Sequence, residues 1–471
     1  MAPTRAVKAS SWENKNTMDK TEKKFIDFAV SLKFSDLSPA AIHAAKARFV
    51  DSFGTALAAQ QAPTVKAARK LTAPVRTGPR ARIFGTLETV TPEMAALVNG
   101  AMVRYLDMND AYTRASTSHP SDNIPALLAV AEAISASGRD LILATVICYE
   151  IHCRVCQDVP FFFRGWDQAL GAAPALATAL ARLLRLKPER MRDALAIAAT
   201  ESPTTRQTRS GELSMWKGLA GPSSARLGVF AAYAAKAGAT GPQDSYDGGH
   251  GLWKQTMGEI QNIPIPTSFK RHTFAIQQTN IKVFPIRDGI QVPTITAMKL
   301  RKLCNPKDIK HLRIDSYRHA FERWAPEPAF WKPTTRETAD HSLPFCLAAA
   351  LLDGDITPQT FLRKRFMDKD IRAYMKKMSL HYDKSFDKVA PDTRNCRLTA
   401  TLKDGCTVSA EHTQTSEDMV RGLSDTEIEA KFHKLTGRFY PKKSREKLIS
   451  QLWDLEKVKN VSAILPLTKR G

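Results

Sequence analysis

Long apolar segments are missing from this sequence of 471 residues. No apolar run reaches the roughly 18 residues that a membrane-spanning helix needs, and the opening segment lacks the apolar centre of a secretory signal. These absences predict a soluble, cytoplasmic protein with no membrane contact. Arg5 and Lys8 precede the first acidic residue, Glu13, so a short mitochondrial targeting peptide is an alternative interpretation of this segment.

Cysteines are few and their spacing is scattered. Seven of them, an odd number, do not make a disulfide framework and fit a reducing compartment. Cys153 and Cys156 form a C-x-x-C pair, but no second cysteine or histidine pair at zinc spacing accompanies it. The pair lies in a helix-like stretch, which favours buried thiols. The lack of a suitable cysteine set also argues against an aconitase-like iron–sulfur enzyme.

Acidic residues are outnumbered, because 69 Lys and Arg face 47 Asp and Glu and give a net charge of +22. Such an excess suits nucleic acid, an anionic membrane or anionic substrates. The cations are spread along the chain, with moderate concentrations at 301–310, 363–377 and 442–447, rather than in one stripe interleaved with aromatics. This spread argues against a nucleic-acid partner, although a non-catalytic protein that binds an anionic macromolecule remains an alternative.

The length predicts two domains, since a single hydrophobic core rarely extends beyond roughly 250–300 residues. Residues 20–260 are predicted to form an all-helical domain, because apolar residues recur there at helical spacing and alanine is frequent. Residues 261–440 are predicted to be a smaller α+β domain with an antiparallel sheet. Residues 441–471 are predicted to form a C-terminal helix that packs on the helical domain. The fold class is therefore mainly α.

The predicted sheet depends on β-prone segments around Ile314, Leu398 and Val408. The turn Asp404-Gly405 joins the last two segments and is a strong hairpin signal.

Polar side chains cluster at two helix ends of the N-terminal half. The first cluster spans 105–123 and contains Asp107, His119 and Asp122; caps and punctuation of the following helix are the alternative interpretation. The second cluster spans 206–221, where Arg209 and Lys217 stand among glycines. A carboxylate site or a solvated basic loop would both explain it.

Two further strings lie in the C-terminal half. In the segment 332–345, Asp340 is expected to cap a helix whose first turn contains His341, and such an N-terminus favours an anion. Lys282 opens this half, and on pattern alone a surface charge is the favoured interpretation.

Together these strings resemble the MmgE/PrpD family, over roughly residues 20–467 and in the family's order. The strings are Y-L-D-M-N-D, S-H-P-S-D-N, G-W-D-Q, T-R-S-G-E-L-S-M-W-K-G, I-K-V-F-P and R-E-T-A-D-H-S-L-P. The family includes 2-methylcitrate dehydratases, cis-aconitate decarboxylases and iminodisuccinate epimerases. The resemblance implies a helical domain, a smaller α+β lid domain, a homodimer, and an active site between the domains that needs no metal and no cofactor.

The resemblance also implies site residues. Asp107, His119 and Lys217 match catalytic residues of the family, and Lys282 matches a lysine from the second domain. We expect His119 or Lys217 to transfer a proton next to a carboxylate, with Asp107 orienting it. Lys282 and Arg209 are expected to clamp carboxylates. The remaining expected substrate-binding residues are Asp122, Gln168 and His341.

Two positions depart from the family pattern. Gln168 and Gly289 stand where many members have histidines, and glutamine cannot act as an acid or base at neutral pH. The leading hypothesis is a metal-independent hydro-lyase acting on 2-methylcitrate or citrate, as in propionate metabolism. Decarboxylation or epimerisation of a related acid is the alternative that these replacements leave open.

Overall fold

The computed structural model of the chain describes residues 18–388, 390 and 393–470. The segment with Arg5 and Lys8, considered above as a targeting peptide, lies outside the described residues. Helices dominate the described part and the sheets are small, so the predicted mainly α class is confirmed. Within these residues no helix is both long and apolar enough to cross a membrane.

Helices make up most of the N-terminal half, and proline opens several of them, as the sequence predicts. At the second helix, Ser38 is the N-cap and its hydroxyl accepts from the amide of Ala41 at 3.2 Å. In chain order the helices of this half are α1 (Lys20–Ser31), α2 (Pro39–Ala59), α3 (Pro63–Arg69), α4 (Pro92–Tyr105), α5 (Ile124–Ala133), α6 (Gly138–Asp158), α7 (Ala172–Leu183), α8 (Pro188–Glu201), α9 (Ala220–Lys236) and α10 (Leu252–Met257).

Small residues let these helices approach closely. At the contact between α4 and α9, a Cβ on Gly100 would lie 2.9 Å from the ring of Pro222, which is closer than carbon atoms pack. Cys153 and Cys156 are buried, unbridged thiols in α6. They are part of the helical core, as the sequence favoured.

The C-terminal half contains the larger sheet and further helices. The helices are α11 (Gln291–Leu303), α12 (Arg318–Trp324), α13 (Pro328–Trp331), α14 (Arg336–Ala339), α15 (Leu343–Asp353), α16 (Pro358–Leu362), α17 (Lys369–Met375), α18 (Ser416–Arg421), α19 (Asp425–Thr436) and α20 (Lys442–Trp453). The strands of the whole chain are β1 (Ala81–Arg82), β2 (Thr89–Val90), β3 (Asp110–Thr113), β4 (Thr117–Ser118), β5 (Asn280–Ile281), β6 (Ile309–Ser316), β7 (Met378–Tyr382), β8 (Arg394–Leu402) and β9 (Thr407–Gln414).

The larger sheet has the order β7-β6-β8-β9. The predicted strands β6, β8 and β9 are antiparallel, with Ile314 opposite Leu398 and Leu398 opposite Ala410. The predicted turn joins β8 to β9, with Gly405 at φ 88°. The sheet is mixed rather than purely antiparallel, because β7, which the sequence analysis did not predict, runs parallel to β6.

Buried apolar residues form two clusters. One comprises side chains of the helices up to α10 together with Phe432 of α19 and Leu452 of α20. The other comprises α11, α15 and the larger sheet. The chain therefore returns at its C-terminal end to the helical part.

A three-stranded sheet of order β4-β3-β5 links the two halves. In it, Asp110 pairs with Ile281 and Ala111 with Asn280. This short pairing brings residue 282 to the chain segment that follows α4.

Candidate active site

A cavity of about 510 Å³ lies between the helical part and the α+β part. Five of the residues that the sequence analysis selected are on its wall, and three, Asp122, Lys217 and Lys282, lie directly behind it. Residues that line the cavity include Asp107, Arg114, His119, Gln168, Arg209, Arg287, Tyr317, His319, Arg323, Trp324, His341 and Arg394.

Asp107 is the centre of a buried charged cluster. It follows α4 with φ 52°, a left-handed conformation that residues other than glycine rarely adopt. Its Oδ1 accepts from Arg104 Nη1 at 2.7 Å and from Lys282 Nζ, and its Oδ2 lies 3.1 Å from Lys217 Nζ. Burial alone would raise the pKa of Asp107, but Arg104, Lys282 and Lys217 lower it well below its ordinary value. Asp107 is therefore ionised at neutral pH.

Lys217 belongs to the short turn Met215–Gly218 that leads into α9. Its Nζ lies 2.5 and 2.6 Å from the two carboxylate oxygens of Asp340 and 3.4 Å from His341 Nδ1. Burial lowers the pKa of Lys217, while Asp340 and Asp107 oppose the shift. A buried ammonium of this kind releases a proton more readily than a surface lysine does.

Lys282 owes its position to the pairing of β5 with β3. Ile281 lies opposite Asp110, so the next residue along the chain reaches Asp107. The side chain of Lys282 is unexposed, and the interpretation as a surface charge is wrong. Burial lowers the pKa of Lys282, and the carboxylate of Asp107 opposes that shift.

His119 is held in one tautomer. Its Nδ1 lies 2.7 Å from the backbone oxygen of Asp110; because a carbonyl only accepts, Nδ1 carries the hydrogen and Nε2 keeps a lone pair. Burial, together with Arg104 and Lys282, lowers the pKa of His119 well below its ordinary value. His119 is thus a neutral imidazole on the cavity wall, which is the form that a general base requires.

His341 is fixed in a similar way. Its Nδ1 lies 2.6 Å from Asp340 Oδ1, and the carboxylate oxygen accepts the hydrogen. Burial and the charge of Lys217 lower the pKa of His341 well below its ordinary value, against the pull of Asp340. The cavity therefore has two imidazoles that are neutral near pH 7.

The expected cap at Asp340 is not present. Ser342 is the N-cap of α15, and its hydroxyl accepts from the amide of Phe345 at 3.2 Å. The carboxylate of Asp340 can therefore pair with the ammonium of Lys217, because the hydroxyl of Ser342 caps the helix instead. His341 accordingly precedes the helix instead of lying in its first turn.

Asp122 lies behind the cavity wall. It accepts from Asn109 Nδ2 at 2.8 Å, and Arg104 Nε is 3.7 Å from its other oxygen. Burial raises the pKa of Asp122 to about 6 even though Arg104 and Asn109 oppose the shift. A Cβ on Gly221, at the start of α9, would lie 2.2 Å from Asp122 Oδ2. Asp122 thus holds Arg104 in place, and the glycine leaves room for its carboxylate.

Arg209 and Gln168 both line the cavity, but they differ in how many of their hydrogen-bond donors are already used. Arg209 donates from Nε to Asp167 Oδ2 at 2.9 Å and from Nη1 to the carbonyl of Lys217 at 3.1 Å, so much of its guanidinium is already engaged. The Nε2 of Gln168 is buried and has no hydrogen-bond partner among the described residues. Gln168 therefore offers an unused donor at the position of a family histidine.

Asp107, Asp340 and His341 also meet the spacing of metal ligands, since their ligand atoms lie within 4.8 Å of one another. The ammonium of Lys217 stands among these three groups. A lysine thus already supplies the positive charge that this donor set favours. The metal-free site stays a prediction.

Four charged residues of this region, Arg104, Asp340, Arg287 and Arg323, were not predicted as site residues from the sequence. Arg104 precedes Asp107 by three positions, a spacing at which side chains meet on a helix, so a search for such pairs would have found it. Asp340 was noticed only as a cap. Arg287 and Arg323 line the cavity, but no motif marks them.

Known proteins resemble this chain over most of its length. The cis-aconitate decarboxylase of Mus musculus is 26% identical over 397 residues, which cover 80% of this chain and 78% of that protein. The 2-methylcitrate dehydratase of Salmonella typhimurium is 27% identical over 370 residues, 72% of each chain. A cis-aconitate decarboxylase-like protein of Aspergillus oryzae is 24% identical over 478 residues, 94% of this chain and 95% of that protein.

Two family models match the sequence in succession. The MmgE/PrpD N-terminal domain matches residues 23–262, and the MmgE/PrpD C-terminal domain matches residues 292–455. Together they extend over well more than half of the sequence and include all of the motif strings except I-K-V-F-P, which lies between the two matched ranges at residues 281–285. The chain therefore belongs to the MmgE/PrpD family.

Proposed function

We propose that this protein is a metal-independent lyase, which transfers a proton at a carbon next to a carboxylate of a small polycarboxylic acid. The observation that carries the proposal is the buried cluster of Asp107, Lys217 and Lys282, which meets a cationic cavity beside two neutral histidines. Relatives named as dehydratases and decarboxylases support a reaction of this class.

His119 is the base in this proposal. Its Nε2 has a free lone pair because Nδ1 donates to the carbonyl of Asp110. Removal of the proton leaves negative charge on the carbon and its carboxylate. Cations aimed at such developing charge stabilise the transition state. Arg209 supplies positive charge on the cavity wall, and Lys217 and Lys282 supply it from behind the wall beside Asp107.

Lys217 is the acid. In a dehydration the C–H electron pair forms the double bond, the C–O bond breaks, and the leaving hydroxyl takes a proton to become water. The ammonium of Lys217 can supply that proton because burial lowers its pKa. Asp107 and Asp340 hold the ammonium in place, so Asp107 orients the lysines rather than His119.

Decarboxylation or epimerisation is the second candidate, and Gln168 favours it. The replacement of a histidine by Gln168 removes one group that could protonate a leaving hydroxyl. Loss of carbon dioxide requires only that a carbanion be stabilised and then protonated. The same cluster would serve that reaction.

Chelator-treated protein should be incubated with 2-methylcitrate, citrate, cis-aconitate and related acids, and the products identified by NMR. Loss or addition of water would support the hydro-lyase, and release of carbon dioxide or inversion at a carbon would support the second candidate. Activity that vanishes with the chelator and returns with a metal would contradict metal independence. A folded protein that changes none of these acids would contradict the lyase.

A further inference from the structure

Two arginines of the C-terminal half line the cavity without acidic partners. Arg287 lies between β5 and α11 and is partly buried. Its guanidinium has no hydrogen bond or ion pair with any residue that the structure describes, and it lies 5.6 Å from the centre of the Trp324 ring. An aromatic face offsets only a small part of the cost of removing a charge from water.

Arg323, on α12, is held only in part. Its Nη2 donates to the backbone oxygen of Arg209 at 2.6 Å, and its guanidinium lies 4.7 Å from the centre of the Phe330 ring. Its Nε is buried and has no hydrogen-bond partner among the described residues. The Arg323 guanidinium therefore keeps donor capacity at the cavity.

These charges repel one another. Burial and the nearby Arg287 and Arg206 lower the pKa of Arg323 to about 8, and Glu327 opposes the shift. Burial and Arg206 lower the pKa of Arg287 to about 10. Both guanidiniums nevertheless remain charged near pH 7. Buried charges are ordinarily paired, so this part of the cavity is complementary to an anion.

We propose that Arg287 and Arg323 form a subsite for a carboxylate of the substrate that is remote from the reacting carbon. The proposal rests on the proposed function and adds to it the residues that bind the carboxylate farthest from the reacting carbon. One ligand can reach both regions, because Asp107, His119 and the two arginines line a single cavity of about 510 Å³. A guanidinium presents paired donors that match the two oxygens of a carboxylate.

The test uses tricarballylate, a tricarboxylate that has no hydroxyl to lose, and 2-methylsuccinate, which keeps the central carboxylate and one terminal carboxylate but lacks the other terminal carboxylate. Calorimetry should be performed on the wild-type protein and on the Arg287→Gln and Arg323→Gln variants. We expect each variant to bind tricarballylate about tenfold or more weakly than the wild-type protein does, and the affinity for 2-methylsuccinate to fall much less. Arg287→Lys should recover part of the affinity, because it keeps the charge but not the paired donors. Arg421→Gln, at an exposed arginine, is the matched control.

Unchanged tricarballylate affinity in both variants would overturn the subsite, as would an equal loss of affinity for 2-methylsuccinate. Inorganic phosphate that binds more tightly than tricarballylate, and depends on the same arginines, would overturn the assignment to a carboxylate. Turnover of an acid without any effect of these variants on binding would reject the subsite and keep the lyase. Arginine-dependent binding by a protein that transforms no acid would keep the subsite and reject the lyase.

Discussion

The ionisable residues of this site differ in protonation state because their burial and their charged neighbours differ. Burial and the nearby charges of Arg104 and Lys282 lower the pKa of His119 and keep it neutral, whereas Asp107 is ionised because three cations surround it. Lys217 remains an ammonium between two carboxylates. These states follow from the contacts, and each suits one role in proton transfer.

Replacement of His119 by glutamine should abolish the base and spare the fold, since an amide can still donate to the carbonyl of Asp110. We expect kcat to fall by about 10²–10⁴-fold, the usual contribution of a general base. Steady-state kinetics and thermal unfolding of the variant are the measurements. His43→Gln is the matched control, because His43 is half-exposed and pairs with Asp425 outside the cavity. Near-normal turnover in the His119 variant would contradict the assignment.

The pH profile should reflect the lowered pKa of His119. A base whose pKa lies well below about 6.5 stays neutral to lower pH, so kcat/KM should not decline near pH 6.5 when the pH falls. The decline should begin only at lower pH, because the pKa of His119 is lowered. A decline at 6.5 or above that does not follow the substrate's own titration would contradict the neutral imidazole. The same shift makes stability fall below about pH 6.5, because unfolding then takes up a proton.

The motif strings predicted much of the site from sequence. Asp107, His119, Lys217 and His341 lie within or beside one cavity, as the resemblance implied. The contacts among them could not be derived, because Asp340 reaches Lys217 across 123 residues of chain. The capping role expected of Asp340 failed because Ser342 offered a competing hydroxyl.

At the scale of elements, α19 supports the site from behind. Lys431 is buried, and its Nζ lies 2.6 Å from Asp51 Oδ1 on α2. The same ammonium donates to the carbonyls of Met108 and Lys282, at 2.6 and 2.8 Å. One side chain thus joins the segments on either side of the charged cluster.

Lys431→Met should lower both stability and turnover. It leaves Asp51 as an unpaired buried carboxylate, which we expect to cost about 3–5 kcal/mol of unfolding free energy. The double variant Lys431→Met, Asp51→Asn should regain most of that stability, yet kcat should stay about tenfold low because the two carbonyls are no longer held.

Denaturant unfolding and kinetics would check both parts of this prediction. Lys434→Met is the control on the same helix, since that lysine is largely exposed. Full turnover in the double variant would mean that Lys431 has only a structural role.

The sequence predicts most helices and the hairpin of the larger sheet, but not every strand. Proline, capping residues and helical spacing marked most helices, and the Asp404-Gly405 turn marked the hairpin of β8 and β9. Strand β7 was not predicted from the sequence because it is short and lies at the sheet edge. It also pairs in parallel with β6, so no turn signal joins the two strands. The pairing of β5 with β3 was not predicted because it comprises only two residue pairs.

At the scale of the whole molecule, the net charge of +22 and the cationic cavity favour anionic substrates. Association with a trianion should therefore weaken as salt screens the charges, and kcat/KM should fall roughly three- to tenfold between low and high ionic strength. A shorter dianionic substrate or inhibitor should show a smaller dependence. A kcat/KM that is independent of salt would contradict electrostatic attraction as the purpose of the excess charge.

The cavity between the two halves could be anticipated from the resemblance but not from residue patterns. Its walls come from segments that are far apart in sequence, so their approach depends on how the two cores pack. Arg287 and Arg323 could therefore not be predicted as cavity residues from the sequence. Neither belongs to a motif, yet both line the same cavity.

The central claim is that this site moves a proton at a carbon next to a carboxylate. NMR of the polycarboxylic acids in D₂O, with wild-type protein and the His119→Gln variant, tests it most directly. We expect the wild-type protein to place deuterium at that carbon during turnover or exchange, and the variant to do so at least about 10²-fold more slowly. Folded wild-type protein that leaves every such carbon unlabelled, or a variant that labels it at the wild-type rate, would contradict the account.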